Sequence, residues 1–386
     1  MSAPGAATSA PSSPPTAQSS LPRRRTPIWA VLTVVVGSLL LATSAAALVA
    51  SRVLVERYTG EIQQQDLLAG AARLPEQDEE PGEALDGPVT MLLLGVDERG
   101  SRPGEMRSDT IIILHIPDTH DQAYLISVPR DTWVEVPAFA PSDHPGGESK
   151  ITDAFYAGSR NGAGRAGGAQ LVALTLKELT GIEFDGAAII DFGGFRDVID
   201  ALGGVEMCVD QRVMSQHMRL VDGMPTWLAE AREMGGGEEL WHEVGCKRMA
   251  GWEALDYSRQ RYGLPNGDYD RQRHQRQLIK AMVQEASSTG VLTDLARIDR
   301  VITAAGKAFV LDTGGIPIAD FVFTLRGVTA NDLIMVKTNG GEFNPAGFSS
   351  TAAERLTPES LEMFDAVRAG TLDEYLLANP DAVQQD

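Results

Sequence analysis

Only two cysteines, Cys208 and Cys246, occur in the 386 residues. No CxxC pair or HExxH helix accompanies them and the six histidines are scattered, which argues against a metal held by thiolates or imidazoles. Basic residues are also in short supply, 33 against 53 acidic ones for a net charge of −20. A general nucleic-acid binder carries a broad basic face, and this composition removes it. A dinucleotide site lacks its context: Gly162, Gly164 and Gly167 satisfy G-x-G-x-x-G, but KITDAFYAGSR before them is not the buried strand such a fingerprint needs. These glycines read as a loop before a helix at 169–179, whose buried side is Leu171, Val172, Leu174, Leu176 and Leu179. The hydrophobic content, 43%, is ordinary for a globular core.

What the chain concentrates is arginine. Residues 257–277, YSRQRYGLPNGDYDRQRHQRQ, hold Arg259, Arg261, Arg271, Arg273 and Arg276 with Asp268 and Asp270. Like charges held close repel unless an anion or a carboxylate lies between them, and the planar guanidinium fork suits phosphate oxygens in pairs. The stretch reads as a phosphate or pyrophosphate site, with a solvated face of local Asp–Arg pairs as the plain alternative. Helices are expected at 251–258 and from about 268 to 287, the second placing Arg271, Gln275 and Leu278 on one face. Asp268 at its start also has the position of an N-cap.

The second concentration is apolar. Residues 1–27 are expected to form a disordered cytoplasmic tail ending in Arg23, Arg24 and Arg25. Residues 28–50 are uncharged and long enough to span a bilayer, for which about 20 apolar residues suffice. Arginines before the span and an acidic stretch after it put the N-terminus in the cytoplasm and the bulk of the chain outside. Residues 51–88, acidic and broken by proline and glycine, read as a stalk. The ectodomain is expected at 89–378, with a frayed tail at 379–386. In an oxidising compartment Cys208 and Cys246 are expected to pair as a structural disulfide, tying both ends of a polar, glycine-rich excursion at 211–243 that is expected to be mobile.

Residues 89–96, 110–116 and 123–128 are short, β-branched-rich runs whose brief connections suit antiparallel strands. Asp97 and Arg99 follow the first, Arg107 and Asp109 precede or open the second, and Arg130 and Asp131 follow the third. An antiparallel hairpin brings Asp97 and Asp109 to one sheet edge. Two carboxylates there suit a divalent ion whose other positions stay open to substrate oxygens and water; turn capping by the same aspartates is the plain alternative.

The segments LLLGVDERG, RSDTIIILHI and LISVPRDTWVEVP, then Lys150 and Ile151 with Ala154 and Tyr156, resemble the opening of the LytR–CpsA–Psr family. DFGGFRDVIDALGGVEMCV (191–209), GWEALDYSRQR (251–261) and GDYDRQRHQRQ (267–277) follow in the family's order, so the resemblance covers 89–282. Members are membrane-anchored extracytoplasmic enzymes that move a glycan phosphate from a polyprenyl-pyrophosphate carrier onto peptidoglycan. Pattern and resemblance together imply an α/β fold: a three-layer α-β-α sandwich with a central mixed, largely antiparallel sheet, behind an N-terminal transmembrane helix. The resemblance also implies an apolar channel for the polyprenyl chain; amphipathic helices expected at 291–305 and 318–325 are its candidate walls, or plain core. One position departs from the family. Where many relatives carry an arginine three residues after the one matching Arg271, this chain has His274 with Arg273 beside it, leaving open which of the two faces the pyrophosphate.

On that resemblance, the donor is a polyprenyl-pyrophosphate-linked glycan and the acceptor is peptidoglycan. Asp97 and Asp109 are expected to hold Mg²⁺ or Mn²⁺. Arg99, Arg107, Arg130, Lys150, Arg259, Arg261, Arg271 and Gln275 are expected to bind the pyrophosphate. Asp97, Arg107, Asp109, Arg130 and Asp268 form the expected catalytic set, with Asp268 or Asp131 as the base. Neither NAD nor nucleic acid enters the reading. Two other functions stay open: a hydrolase acting on the same donor, and a non-catalytic module that docks an acidic wall polymer.

Overall fold

The structure is a computed structural model that describes residues 63–74, 87–98, 106–288, 294–316, 328–347 and 352–384. The expected tail and membrane span at 1–50, and Arg99, lie outside these residues. Among the described residues no helix is long and apolar enough to cross a membrane.

Strand β1 (Gln63–Gln64) and a helical turn α1 (Ala69–Ala72) precede a hairpin of β2 (Val89–Glu98) and β3 (Met106–Ile116), which β4 (Ala123–Ser127) extends antiparallel. A side ribbon of β5 (Trp133–Val136) and β6 (Gly147–Lys150) leads into α2 (Ile151–Ser159) and α3 (Gly164–Thr180). That helical crossover returns the chain as β7 (Gly186–Asp191), parallel to β2. Next come α4 (Phe192–Leu202), β8 (Val205–Val209), β9 (Val213–Val221), β10 (Met224–Trp227), α5 (Leu228–Glu233), β11 (Glu238–His242) and β12 (Gly245–Met249). Helices α6 (Gly251–Ser258), α7 (Asp268–Ala286) and α8 (Leu295–Ala308) follow, then β13 (Phe309–Asp312), β14 (Leu333–Lys337), α9 (Pro358–Ala369) and α10 (Leu372–Ala378).

The main sheet has the order β1-β13-β7-β2-β3-β4-β14. It is mixed as expected, but not largely antiparallel. The pairs β13–β7, β2–β3 and β3–β4 are antiparallel, whereas β1–β13, β7–β2 and β4–β14 are parallel. Short connections fix only the central meander; β7 and β14 arrive by longer routes, which allow parallel neighbours. Strand alternation sends Leu92, Leu94, Ile111, Ile113, Tyr124 and Ile126 into a core with Phe155, Leu171, Leu176 and Phe364. Leu93, Ile112, Leu114 and Leu125 take the opposite face and pack with Met335 and with Ile279 of α7. Helices therefore cover both faces.

Packing also explains the glycine-rich run. A Cβ on Gly167 would stand 2.5 Å from the Gly158 carbonyl oxygen, and one on Gly168 would stand 2.8 Å from Phe155. These glycines let α2 and α3 approach closely.

Three expectations are corrected. The folded unit begins inside the expected stalk, because Leu67, Leu68 and Ala72 are fully buried in the main core and β1 pairs with β13. The excursion at 211–243 is an antiparallel sheet of order β10-β9-β11 carrying α5, held by backbone pairing that a polar sequence does not advertise. The expected disulfide is formed: Cys208 and Cys246 stand directly opposite each other on β8 and β12 and join the ends of that excursion. The tail does not fray through Gln384, since Val383 bridges Val336 and the Gln384 N–H donates to the Met335 carbonyl at 2.8 Å.

Candidate active site

Strands β2, β4 and β14 end, and β3 begins, at one edge of the sheet. Asp97 stands opposite Arg107 in the β2–β3 register, on the strand pair that also carries Asp109. Just past β4, Arg130 donates from Nη1 to Asp109 Oδ1 at 2.5 Å, and its Nε lies 3.7 Å from Asp131 and 3.6 Å from Asp268. Lys150, the last residue of β6, donates from Nζ to Asp131 Oδ1 at 2.7 Å. From α7, Arg271 Nη2 donates to the Asp109 carbonyl at 2.8 Å and lies 2.9 Å from Asp268 Oδ1. Cations and carboxylates thus interleave where β3, β6, the end of β4 and the start of α7 meet.

The cluster is largely withdrawn from water, with side-chain exposures of 16% for Arg130, 11% for Asp109, 14% for Asp268 and 5% for Arg271. Burial alone would raise the Asp268 carboxyl, but the guanidinium groups of Arg271 and Arg130 outweigh it and hold it below the usual carboxylate range. Burial works against the Arg130 charge, and Asp109, Asp268 and Asp131 more than compensate. The Nε groups of Arg130 and Arg271 are buried without a hydrogen-bond partner. Unmade bonds from buried charged donors are costly, and an oxyanion admitted here satisfies them. Asp268 is the first residue of α7 and not its cap; Gly267 holds that position and makes no side-chain cap bond.

The same face of α7 changes character along its length. After Asp268 and Arg271 comes Gln275, and then Leu278 and Ile279, which line a narrow apolar cavity of about 50 Å³ together with Leu93, Ile112, Phe192 and Phe195. Gln275 and Arg259 stand at its polar end, the Gln275 Nε2 buried without a partner and the Arg259 guanidinium carbon 4.3 Å above the Phe192 ring. The cavity wall comes from α4, α6, α7 and the sheet. Of the two readings of the helix expected at 291–305, the described side chains of α8 fit plain core: Val301, Ala304 and Ala305 pack against Val198 and Leu202. The helix expected at 318–325 lies outside the described residues.

Other expected residues are placed further out. Arg107 is half-exposed and pairs with Asp153 at 3.2 Å, on the rim of the cluster. Arg261 donates to the Tyr262 hydroxyl at 2.5 Å and lies over that ring, with no described contact to the cluster. Neither Arg273 nor His274 faces the cluster. His274 is buried against the Tyr257 hydroxyl at 3.0 Å and Asp210 at 3.1 Å, while Arg273 pairs with Asp210 and with Asp270 at 3.0 Å. Position 273 falls on another face than 268, 271 and 275, whereas His274, three residues from Arg271, is held aside by Tyr257 and Asp210.

Glu354 was not legible beforehand. Its N–H donates to the Asp131 carbonyl at 3.1 Å, and its carboxylate accepts from the Tyr269 hydroxyl at 2.5 Å and Asn339 Nδ2 at 3.2 Å. A lone glutamate in a loop carries no periodicity or motif that would have marked it. Among the described residues no group of three or more His, Cys, Asp and Glu is placed to hold a metal. Magnesium asks for less, since one or two carboxylates with phosphate oxygens and water suffice, and the common edge shared by Asp97 and Asp109 is compatible with that minimal set.

Comparison with protein families matches the LytR_cpsA_psr family over residues 59–355. The Bacillus cereus polyisoprenyl-teichoic acid–peptidoglycan teichoic acid transferase TagU is 28% identical, over 57% of this chain and 59% of its own length. The probable cell wall biosynthesis protein LcpB of Corynebacterium glutamicum is 32% identical, over 56% of this chain and 43% of its own. The chain therefore spans 43–59% of the length of these two relatives. The crystal structure of B. subtilis TagV shares the fold, with a TM-score of 0.54 at 22% identity over 75% of this chain and 98% of that one. The family match takes in the β2–β3 hairpin, the Arg130 segment and α7, and by it the chain belongs to the LytR–CpsA–Psr family.

Proposed function

We propose that this chain is a membrane-anchored, extracytoplasmic phosphotransferase that moves a phospho-glycan from a polyprenyl-pyrophosphate carrier to a sugar hydroxyl of peptidoglycan. One observation carries the reading. A single face of α7 runs from Asp268 and Arg271 through Gln275 to the apolar cavity at Leu278 and Ile279. A pyrophosphate on a prenyl chain has the same two halves in the same order. The printed name of the TagU relative, a transferase of polyisoprenyl-linked teichoic acid to peptidoglycan, agrees with that substrate class. The anchor is assigned to residues 28–50, with the N-terminus cytoplasmic.

In this reaction the acceptor hydroxyl oxygen forms a new bond to the glycan-bearing phosphorus, and the bond from that phosphorus to the bridging oxygen breaks. Charge gathers on the departing polyprenyl phosphate, and preorganised cations stabilise it where it develops. Arg130 and Arg271 are the inner pair for this task, each with a buried Nε free of hydrogen bonds. Lys150 supplies a further cation through Asp131, while Arg107 at the rim, Arg259 at the cavity mouth, Arg261 and Arg99 complete the phosphate-binding set. The hydroxyl proton passes to a carboxylate: Asp268 is kept ionised by its arginines, and Asp131 is the alternative. Asp97 and Asp109 would hold Mg²⁺ or Mn²⁺, which supplies charge neutralisation at the phosphoryl oxygens.

The test is binding of a short-chain polyprenyl pyrophosphate to the full chain in detergent, with and without Mg²⁺. Tight, metal-dependent binding that is lost in Asp97→Ala and Arg259→Ala is the expected result. No binding by the folded protein would turn the reading to a polymer-docking module. Release of polyprenyl phosphate with no ligated glycan, in the presence of acceptor, would make the chain a hydrolase.

A further inference from the structure

Helix α7 has a second face. Asp270, Arg273 and Arg276 turn away from the phosphate cluster and, with Lys337, Glu342 and Asp381, line a polar cleft of about 540 Å³. The cleft opens at the strand ends that build the cluster. Ser127 closes β4 and receives a hydrogen bond from Arg276 Nη1 at 2.7 Å, while Arg130, a few residues further along the chain, belongs to the cluster. Lys337 closes the parallel neighbour β14. The carboxyl ends of parallel strands are a common seat for ligands.

Two cations of the cleft, Arg276 and Lys337, have no ion-pair partner among the described residues. Arg276 is 3% exposed, yet its guanidinium bonds only neutral oxygens, Ser127 Oγ and, from Nε at 3.1 Å, Gln384 Oε1. Among the described residues it has no carboxylate partner, and burial together with the nearby Arg273 lowers its pKa to about 9. Lys337 likewise has no described ion pair, whereas Arg273 is matched by Asp210 and Asp270. A buried cation caged by neutral groups is costly until an anion completes the site. The loop on the far wall leaves room for one: Asn339, Gly340 and Gly341 all have positive φ, and a Cβ on Gly340 would meet nothing within 4 Å.

Charge pattern selects among anions. The lining carries Asp270, Glu342 and Asp381 as well as Arg273, Arg276 and Lys337. A dense polyphosphate is repelled by those acids, while a ligand with one carboxylate amid uncharged sugar and amide groups is not. Asn266, Gln211 and Gln384 on the same walls supply amides to meet hydroxyl and peptide groups.

We propose that this cleft is the acceptor subsite and takes a carboxylate-bearing glycopeptide, its carboxylate set between Lys337 and Arg276. The proposal rests on the transferase reading above, with α7 dividing donor from acceptor: Arg271 and Gln275 on one side, Arg273 and Arg276 on the other. The probe is muramyl dipeptide, a muramic acid carrying a short peptide with a free carboxylate, titrated into the full chain in detergent. Its amidated form and inorganic phosphate are run beside it, and polyprenyl pyrophosphate binding is measured on the same samples. Expected are binding to the wild-type chain, at least tenfold weakening on amidation and in Lys337→Glu, and donor affinity unchanged in that variant. Arg276→Gln should act in the same direction; should it fail to fold, Lys337→Glu on the cleft wall still decides. No binding, or equal affinity in wild type and Lys337→Glu, overturns the acceptor subsite while leaving the donor reading intact. Displacement by inorganic phosphate at similar concentration overturns the carboxylate assignment in favour of a phosphate of the transferred glycan. Failure of the wild-type chain to bind donor overturns the transferase reading, and with it the acceptor role.

Discussion

Arg271 on α7 donates to the main-chain carbonyl of Asp109 on β3 at 2.8 Å, across 162 residues of sequence. The bond fixes the start of α7 to the sheet edge where Arg130 also meets Asp109. Arg271 is therefore both a tie-beam of the fold and a cation of the site, and its two roles separate by experiment.

Arg271→Ala leaves Asp268 without its nearest cation in a mostly buried setting. The variant should lose about 3 kcal/mol of unfolding free energy, the low end for breaking a buried pair, read from urea titrations. Arg271→Lys keeps the charge without the fork and should recover part of the stability but little of the transfer rate. Equal stability of Arg271→Ala and wild type would remove the tie-beam role.

Arg130→Ala takes away the cation shared by Asp109, Asp131 and Asp268. Glycan transfer should fall roughly 100- to 1,000-fold, the size seen when one preorganised donor is removed from a charge-stabilising site. Circular dichroism should show the fold retained. Wild-type rates in the folded variant would take Arg130 out of the site.

Glu354 links stability to pH. It is 1% exposed, and burial pushes its carboxyl up to about 7 despite hydrogen bonds from Tyr269 and Asn339 that pull the other way. An unfolded glutamate titrates near about 4.3, so between the two values the folded chain holds a proton that the unfolded chain has released. The stability gained is full below the unfolded pKa and is lost as pH rises through about 7. His115, lowered to about 4 by burial, contributes the opposite slope, so the readout is the difference between wild type and Glu354→Gln. Glu354→Gln should gain on wild type by on the order of 3 kcal/mol between about pH 4.5 and pH 8. A difference that does not change with pH would show that Glu354 titrates normally.

The Cys208–Cys246 bridge closes a loop with a sequence separation of 38. Replacing both cysteines by serine should cost up to about 4 kcal/mol on the chain-entropy estimate, less whatever the β8–β12 ladder holds by itself. Thermal unfolding with and without reductant checks this. The cluster of Arg130, Asp109 and Arg271 lies elsewhere, so donor affinity in the double variant should stay at the wild-type value.

Much of the charged sheet edge was readable in the sequence because its parts are local. Asp97, Arg107 and Asp109 flank one hairpin, and Asp268, Arg271 and Gln275 recur at helical spacing. The sheet's parallel pairs were less readable, since β7 and β14 reach their partners through long connections whose paths no period records. The excursion at 211–243 was misread for a related reason: its strands pair with one another, and their buried positions include the polar Ser215 and His242 beside Val213, Met218 and Leu240, which blurs the apolar alternation.

The sequence by itself determined which residues bear charge at strand and helix ends, where the cysteines stand, and that arginine is concentrated at 257–277; these follow from composition and short-range periodicity. Tertiary structure alone decided that Glu354 sits behind Asp131, that Arg273 and His274 turn away from the cluster, and that Arg276 is buried in a cleft shared with Lys337 with no carboxylate partner among the described residues. Those facts depend on which distant segments pack together, and packing is settled by the summed burial of a whole core, which no local stretch of sequence contains.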